Sequence, residues 1–139
     1  ISSAYILQAL HENDKGTLYS IDNVFKPWES REMIGYAIPK NLQNRWKLII
    51  GTSSEKLEKI FQSIEKADVF LHDSLHTYKN MLLEFQTAWP FIKNNGFLLS
   101  DDVGDNNAFL EFYLANEGHP ILLKNTKNME TTLGILRKN

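Results

Sequence analysis

Short apolar runs alternate with amphipathic stretches along most of this chain, and that alternation constrains the fold more than any other feature. Thr17–Ile21, Trp46–Ile50, Ala67–Leu71 and Phe97–Ser100 read as strands. Near-continuous apolar strands are buried on both faces, and the amphipathic segments between them read as crossover helices. The pattern predicts an α/β fold with a doubly wound, mostly parallel sheet. Ile121–Lys124 and Thr132–Leu136 follow one another with no helix between them. They are expected to form an antiparallel pair at one edge.

The helices carry their own signals. Ser2 or Ser3 can cap a first helix bearing Ile6, Leu7 and Leu10, which ends at Lys15-Gly16. Thr52-Ser53-Ser54-Glu55 reads as a capping box ahead of Leu57, Ile60, Phe61 and Ile64. Tyr78, Met81, Leu82, Phe85, Trp89 and Ile92 make a third stripe, with Pro90 kinking its last turn and Asn95-Gly96 closing it. Asp105 or Asn106 can cap a fourth helix bearing Phe109, Phe112 and Tyr113, with Gly118 as its C′ glycine. Residues 23–45, punctuated by Pro27, Gly35 and Pro39, read as irregular.

Composition bounds the class. At 139 residues and 42% hydrophobic content the chain suits one domain with a packed core. A net charge of −2 argues against a general nucleic-acid partner. Cysteine is absent, which excludes disulfides, thiolate metal sites and thiol catalysis and fits a cytoplasmic location. No apolar run reaches the roughly 20 residues of a membrane span, so no membrane partner is expected. No G-x-G-x-x-G and no P-loop occurs.

Acidic residues gather where strands end. Asp22, Asp73 and the pair Asp101-Asp102 each follow an apolar run. In a parallel sheet these carboxyl ends share the edge where ligands bind. Neighbouring residues on a strand point to opposite faces, so Asp101 and Asp102 converge only if the chain turns there, and Asp102-Val103-Gly104-Asp105 supplies a turn. Crowded carboxylates repel unless a cation neutralises them, and hard oxygen ligands suit Mg²⁺ or a similar divalent ion. A strand-end aspartate also serves as a plain helix cap. His76, three residues after Asp73, is a candidate general base or a capping residue. His72 should face the other way and be structural, and His11 and His119 read as solvated. Ser53 and Ser54 are helix caps that can also bind polar ligand groups.

The runs Ser2-Ser-Ala-Tyr-Ile-Leu, Leu18-Tyr-Ser-Ile-Asp22, Leu48-Ile-Ile-Gly51-Thr-Ser-Ser, Phe70-Leu-His-Asp73-Ser-Leu-His76-Thr-Tyr78 and Gly96-Phe-Leu-Leu-Ser-Asp101-Asp102 together resemble class I S-adenosylmethionine-dependent methyltransferases. They are most similar to the metal-dependent catechol O-methyltransferase-like branch and to its microbial relatives, which include cephalosporin-biosynthesis proteins. The resemblance covers nearly the whole chain and is strongest from Trp46 to Val103. It implies a Rossmann-like fold across a single methyltransferase-like domain, residues 1–139. It implies Asp22 on the ribose hydroxyls of S-adenosylmethionine, Gly51, Thr52, Ser53 and Ser54 along the adenine, and Ser2 near the methionine part. It implies a divalent metal on Asp73, Asp101 and Asp102, with Asp73 also beside the cofactor. His76 stands where the catecholic relatives place a lysine base, so His76 and Asp73 are the implied catalytic pair.

The family opens with a strand and a glycine-rich turn that hold the methionine moiety, and Ile1 stands where that turn should end. The domain is therefore expected to be N-terminally incomplete. The open slot beside the strands ending at Asp22 and Asp73 invites a homo-oligomer. The expected activity is O-methylation of a small hydroxylated acceptor, with residues 23–45, including Trp28, Tyr36 and Pro39, either covering the substrate or forming a plain surface loop. Three other readings compete: a metal-free or inactive methyltransferase relative, a fragment acting as an interaction module, and a phosphoryl-accepting receiver domain. The receiver order, with the acid pair first and a strand-end lysine, is not found.

Overall fold

The computed structural model describes residues 2–23, 33–127 and 131–139. The chain divides into two compact units, residues 1–56 and 57–139.

In the first unit, α1 (Ser2–Glu12) leads into β1 (Leu18–Asp22), and a 3₁₀ turn (Lys40–Arg45) leads into β2 (Trp46–Ile50). The two strands pair in parallel, with Leu18 opposite Trp46 and Asp22 opposite Ile50. Leu7 of α1 meets Ile38 and Leu42 in a small core flanked by Ala4, Leu10, Leu18 and Trp46. The Trp46 indole donates to the Ser20 hydroxyl at 3.1 Å, tying the strands through a side chain as well. Arg45 reaches the turn after α1, where it pairs with Asp14 and donates to the Gly16 carbonyl. Part of the segment expected to be irregular is thus the 3₁₀ turn, whose buried Leu42 gives it a reason to fold. Trp28 lies outside the described residues, and Tyr36 is 92% exposed.

The helix α2 (Ser53–Ile64) begins at the end of the first unit and runs into the second. The second unit continues with β3 (Ala67–His72), α3 (Tyr78–Ala88), a 3₁₀ turn (Trp89–Phe91), β4 (Ile92–Asp101), α4 (Ala108–Ala115), β5 (Ile121–Lys124) and β6 (Thr131–Arg137). Its sheet has the order β3-β4-β6-β5. β3 and β4 are parallel, β6 is antiparallel to β4, and β5 is antiparallel to β6. The antiparallel edge pair expected from the sequence is present. A core of Met81, Phe85, Ile92, Leu98, Val103, Ala108, Phe109, Phe112 and Leu136 lies between sheet and helices. Phe85 packs at an angle against Phe109 and Phe112, with ring centroids 6.1 and 5.4 Å apart. At Gly134 a Cβ would stand 2.6 Å from the Phe109 ring, so only glycine lets β6 pass beneath that ring.

Three boundaries differ from the sequence reading. Ile92 opens a strand and does not close a helix. Pro90 has no N–H to continue α3, so the chain tightens into a 3₁₀ turn and leaves as β4. Asn95-Gly96 lies within β4, where Asn95 takes φ +67° and exchanges backbone hydrogen bonds with Lys138 through the pair Asn95 N to Lys138 O and Lys138 N to Gly96 O. After α4 the left-handed residue is Glu117, at φ +53°, and Gly118 follows it, with the Leu136 side chain 2.4 Å from where its Cβ would stand. No helix among the described residues is long and apolar enough to cross a membrane.

Candidate functional site

Each unit carries acids at the carboxyl ends of its parallel strands. In the first, β1 ends at the exposed Asp22, and the chain leaves β2 through Gly51. The Gly51 N–H donates to the Asp22 carbonyl at 3.0 Å, extending the ladder by one bond. Gly51 adopts φ +144°, a conformation that favours glycine, while the Lys56 side chain beside it could swing away from an added Cβ. Half of the capping box forms: the Thr52 N–H donates to Glu55 Oε2 at 3.3 Å, while the Thr52 hydroxyl pairs with Ser54 at 3.0 Å and does not cap. Ser53 opens α2, and Ser2 stands exposed at the start of α1.

In the second unit the last parallel pair of β3 and β4 is His72 opposite Ser100. Asp73 follows the last residue of β3 and Asp101 ends β4, so the register brings the two carboxylates to the same end of neighbouring strands. Asp73, His76 and Asp101 bring ligand atoms within 4.8 Å of one another. His76, Asp102 and Asp105 do the same, so the imidazole belongs to both groups. The chain turns at Asp102, which takes φ +47°, a left-handed conformation that aspartate tolerates better than most residues. The Asp105 N–H donates to the Asp102 carbonyl at 3.1 Å and closes the turn that the sequence suggested. His76 Nδ1 lies 3.6 Å from Asp102 Oδ2, and His76 Nε2 is buried and makes no hydrogen bond. The loop is pinned by Asn106, whose amide donates to the His76 carbonyl at 3.2 Å. The N-cap position of α4 is Asn107, not Asp105 or Asn106, but Asn106 just before it accepts from the Ala108 N–H at 2.9 Å.

Asp73, His76 and Asp101 form one candidate ligand group and His76, Asp102 and Asp105 another, each of a chemistry that suits a divalent cation. Asp73 and Asp101 come together as the sequence suggested, whereas Asp102 groups with Asp105 and His76 and not with those two. The same imidazole can accept a proton from a ligand held beside it. His72 is structural, as expected: it is 1% exposed and hydrogen-bonds Glu84 at 2.7 Å. Sequence reading assigned no role to Glu84, and assigned Asp105 a place in the turn and a capping role but no place among the ligand groups. Glu84 had a signal. It falls in phase with Met81, Phe85 and Ala88, the buried stripe of α3, where an acid has no place unless it is partnered.

The methyltransferase-domain profile matches residues 1–103 of this chain. No curated protein sequence matches it. Among solved structures, the O-methyltransferase NovP superposes with a TM-score of 0.65 at 14% identity, over 96% of this chain and 65% of NovP. A Staphylococcus aureus protein assigned as a caffeoyl-CoA O-methyltransferase gives 0.61 at 16% identity, over 97% of this chain and 81% of that one. An rRNA methylase from Streptococcus thermophilus gives 0.58 at 16% identity, over 88% of this chain and 73% of that one. The chain therefore spans less than two thirds of NovP, and these likenesses establish the fold as Rossmann-like. The shared fold does not decide whether a nucleic acid is a partner, so the expectation drawn from the slightly acidic composition stays without support from these likenesses. The match over residues 1–103 identifies the family: this chain belongs to the methyltransferase-domain proteins.

Proposed function

We propose that residues 1–139 act as one methyltransferase-like domain that transfers a methyl group from S-adenosylmethionine to a hydroxyl of a small acceptor, with help from a divalent metal, in the cytoplasm. On this reading the chain would belong with the catechol O-methyltransferase-like branch. The observation that carries the reading is the gathering of Asp73, His76 and Asp101 within 4.8 Å at the ends of two parallel strands, in a chain matching a methyltransferase family.

Methyl transfer from a sulfonium is an in-line displacement, so the protein's main task is alignment, which can supply several kcal/mol. S-adenosylmethionine supplies the electrophilic methyl group. Asp22 offers a carboxylate that can accept two hydrogen bonds from a vicinal diol, and the Gly51–Ser54 turn offers backbone N–H groups and hydroxyls to a flat, polar ring. Ser2 offers a further hydroxyl at a helix start. Asp73, Asp101 and Asp102 would hold a Mg²⁺ or similar ion, which when bound lowers the pKa of an acceptor hydroxyl. His76 would take the acceptor's hydroxyl proton at an imidazole nitrogen, with Asp102 Oδ2 3.6 Å from Nδ1 placed to stabilise the imidazolium, while the acceptor oxygen bonds the methyl carbon and the sulfur leaves as the neutral thioether of S-adenosylhomocysteine.

Calorimetric titration of S-adenosylmethionine into the full chain tests the reading. Saturable binding with one cofactor per chain is expected, and absence of heat at millimolar cofactor would contradict it.

A further inference from the structure

Behind the loop that carries Asp73 and His76 stands a carboxylate that no step above uses. Glu84, on α3, is 3% exposed. Burying a carboxylate is costly unless hydrogen bonds satisfy its oxygens. Oε2 lies 2.7 Å from His72 Nδ1, and Oε1 accepts from the Ser74 hydroxyl at 2.7 Å and from the Asn80 amide at 3.0 Å. The Asn80 amide also lies 3.1 Å from both Ser74 Oγ and the Leu75 carbonyl.

The distribution of these partners matters more than their number. His72 and Ser74 are the two sequence neighbours of Asp73, and both are tied to one carboxylate. Leu75, next to His76, is held through Asn80. His72 is locked further by ring contacts with His76 and Phe85, with centroids 5.2 and 5.5 Å away. Hydrogen bonds in such a buried setting are electrostatically stronger than in water and fix one arrangement. An exposed loop of this length would otherwise sample several.

We propose that Glu84 is a positioning residue, which clamps the chain on either side of Asp73 and so sets Asp73 and His76 before any ligand arrives. The clamp is read from geometry alone, while its consequence for binding rests on the metal-assisted reading above.

The test pairs amide hydrogen exchange with Mn²⁺ titration on the full chain, for wild type, Glu84→Met and Glu84→Gln. In Glu84→Met, amides of residues 73–77 should exchange roughly tenfold or more faster, while Phe85 and Leu98 keep their protection. Mn²⁺ affinity should fall by about tenfold, the usual scale for partners that orient metal ligands. Glu84→Gln should recover most of both, because its amide oxygen still accepts from Ser74 and Asn80. If Glu84→Met does not fold, the double variant Ser74→Ala with Asn80→Ala opens the same clamp from its more exposed side and should loosen the same five residues. Unchanged exchange in the loop, uniformly faster exchange across the second unit, or unchanged Mn²⁺ affinity beside a loosened loop would each overturn the proposal. Wild type that takes no Mn²⁺, with a loop that still loosens in Glu84→Met, would instead remove the metal-assisted reading and leave the clamp standing.

Discussion

Asp22 and Asp73 both stand where a parallel strand ends, yet the chain supports them in different ways. Around Asp22 the support is main chain: one backbone hydrogen bond from Gly51, and a turn that favours glycine. Around Asp73 it is side chain: a buried acid and a buried imidazole behind the loop, with an asparagine on α3 and the loop's own Ser74 tied to that acid. A carboxylate that accepts hydrogen bonds from a diol tolerates some play, because its partners can adjust. Ligands for a small hard cation do not, because their separations fix the coordination. The difference in support matches the difference in the work proposed for the two acids.

The contrast can be broken or sharpened by substitution. The largest effect is expected at Phe85, fully buried behind the clamp. Phe85→Ala should cost about 3–5 kcal/mol in urea unfolding, the usual range for a buried aromatic, and should loosen the Asp73 loop as well. A loss under about 1 kcal/mol would mean that the core does not support the loop. Next comes Gly134→Ala, whose new methyl meets the Phe109 ring. It should cost about 1–3 kcal/mol through overpacking, read as a lower Tm. Asp22→Ala should do the opposite. Stability should stay within about 0.5 kcal/mol because the side chain is exposed. Cofactor affinity should fall by roughly tenfold, measured by calorimetry, as charge-assisted hydrogen bonds are lost. A large stability loss there would erase the distinction between the two acids.

The smallest effect lies at Tyr78, whose hydroxyl donates to Glu111 at 2.5 Å. That hydrogen bond, together with desolvation and the nearby negative charge, raises the phenol above its ordinary 10.0. A raised phenol pKa favours the neutral form in the folded chain, so the contribution is fully present below pH 10.0 and disappears as pH climbs past the raised value. Ultraviolet titration of wild type against Glu111→Gln should show one tyrosine ionising earlier in the variant. Identical curves would remove the pairing.

The order of strands and helices was legible because each apolar run and each helical stripe is local in the sequence. What was lost is what depends on partners distant along the chain. Ile92 is apolar and in phase with α3, so periodicity alone assigns it to the helix, but Pro90 and the pairing of Ala67 with Ile92 place it in β4. Gly118 looked like the C′ glycine, but Glu117 takes that left-handed position and Gly118 follows it, its N–H donating to the Tyr113 carbonyl while the buried Leu136 side chain packs where a Cβ would stand. The acids of the site were visible because they sit at strand ends, a position that topology turns into proximity. Asp105 joins them only through the turn at Asp102, and Glu84 only through a helix packed behind the loop. Neither relation has a local signature beyond an acid in an apolar stripe.

The central proposal is that Asp73, Asp101 and Asp102 hold a divalent cation beside His76, which takes the proton. Titration of Mg²⁺ into wild type and into the variant Asp101→Asn with Asp102→Asn, followed by calorimetry, tests it most directly. The account predicts saturable binding near one ion per chain in wild type and none in the variant. Equal affinity in the two proteins, or no binding in wild type, would contradict it.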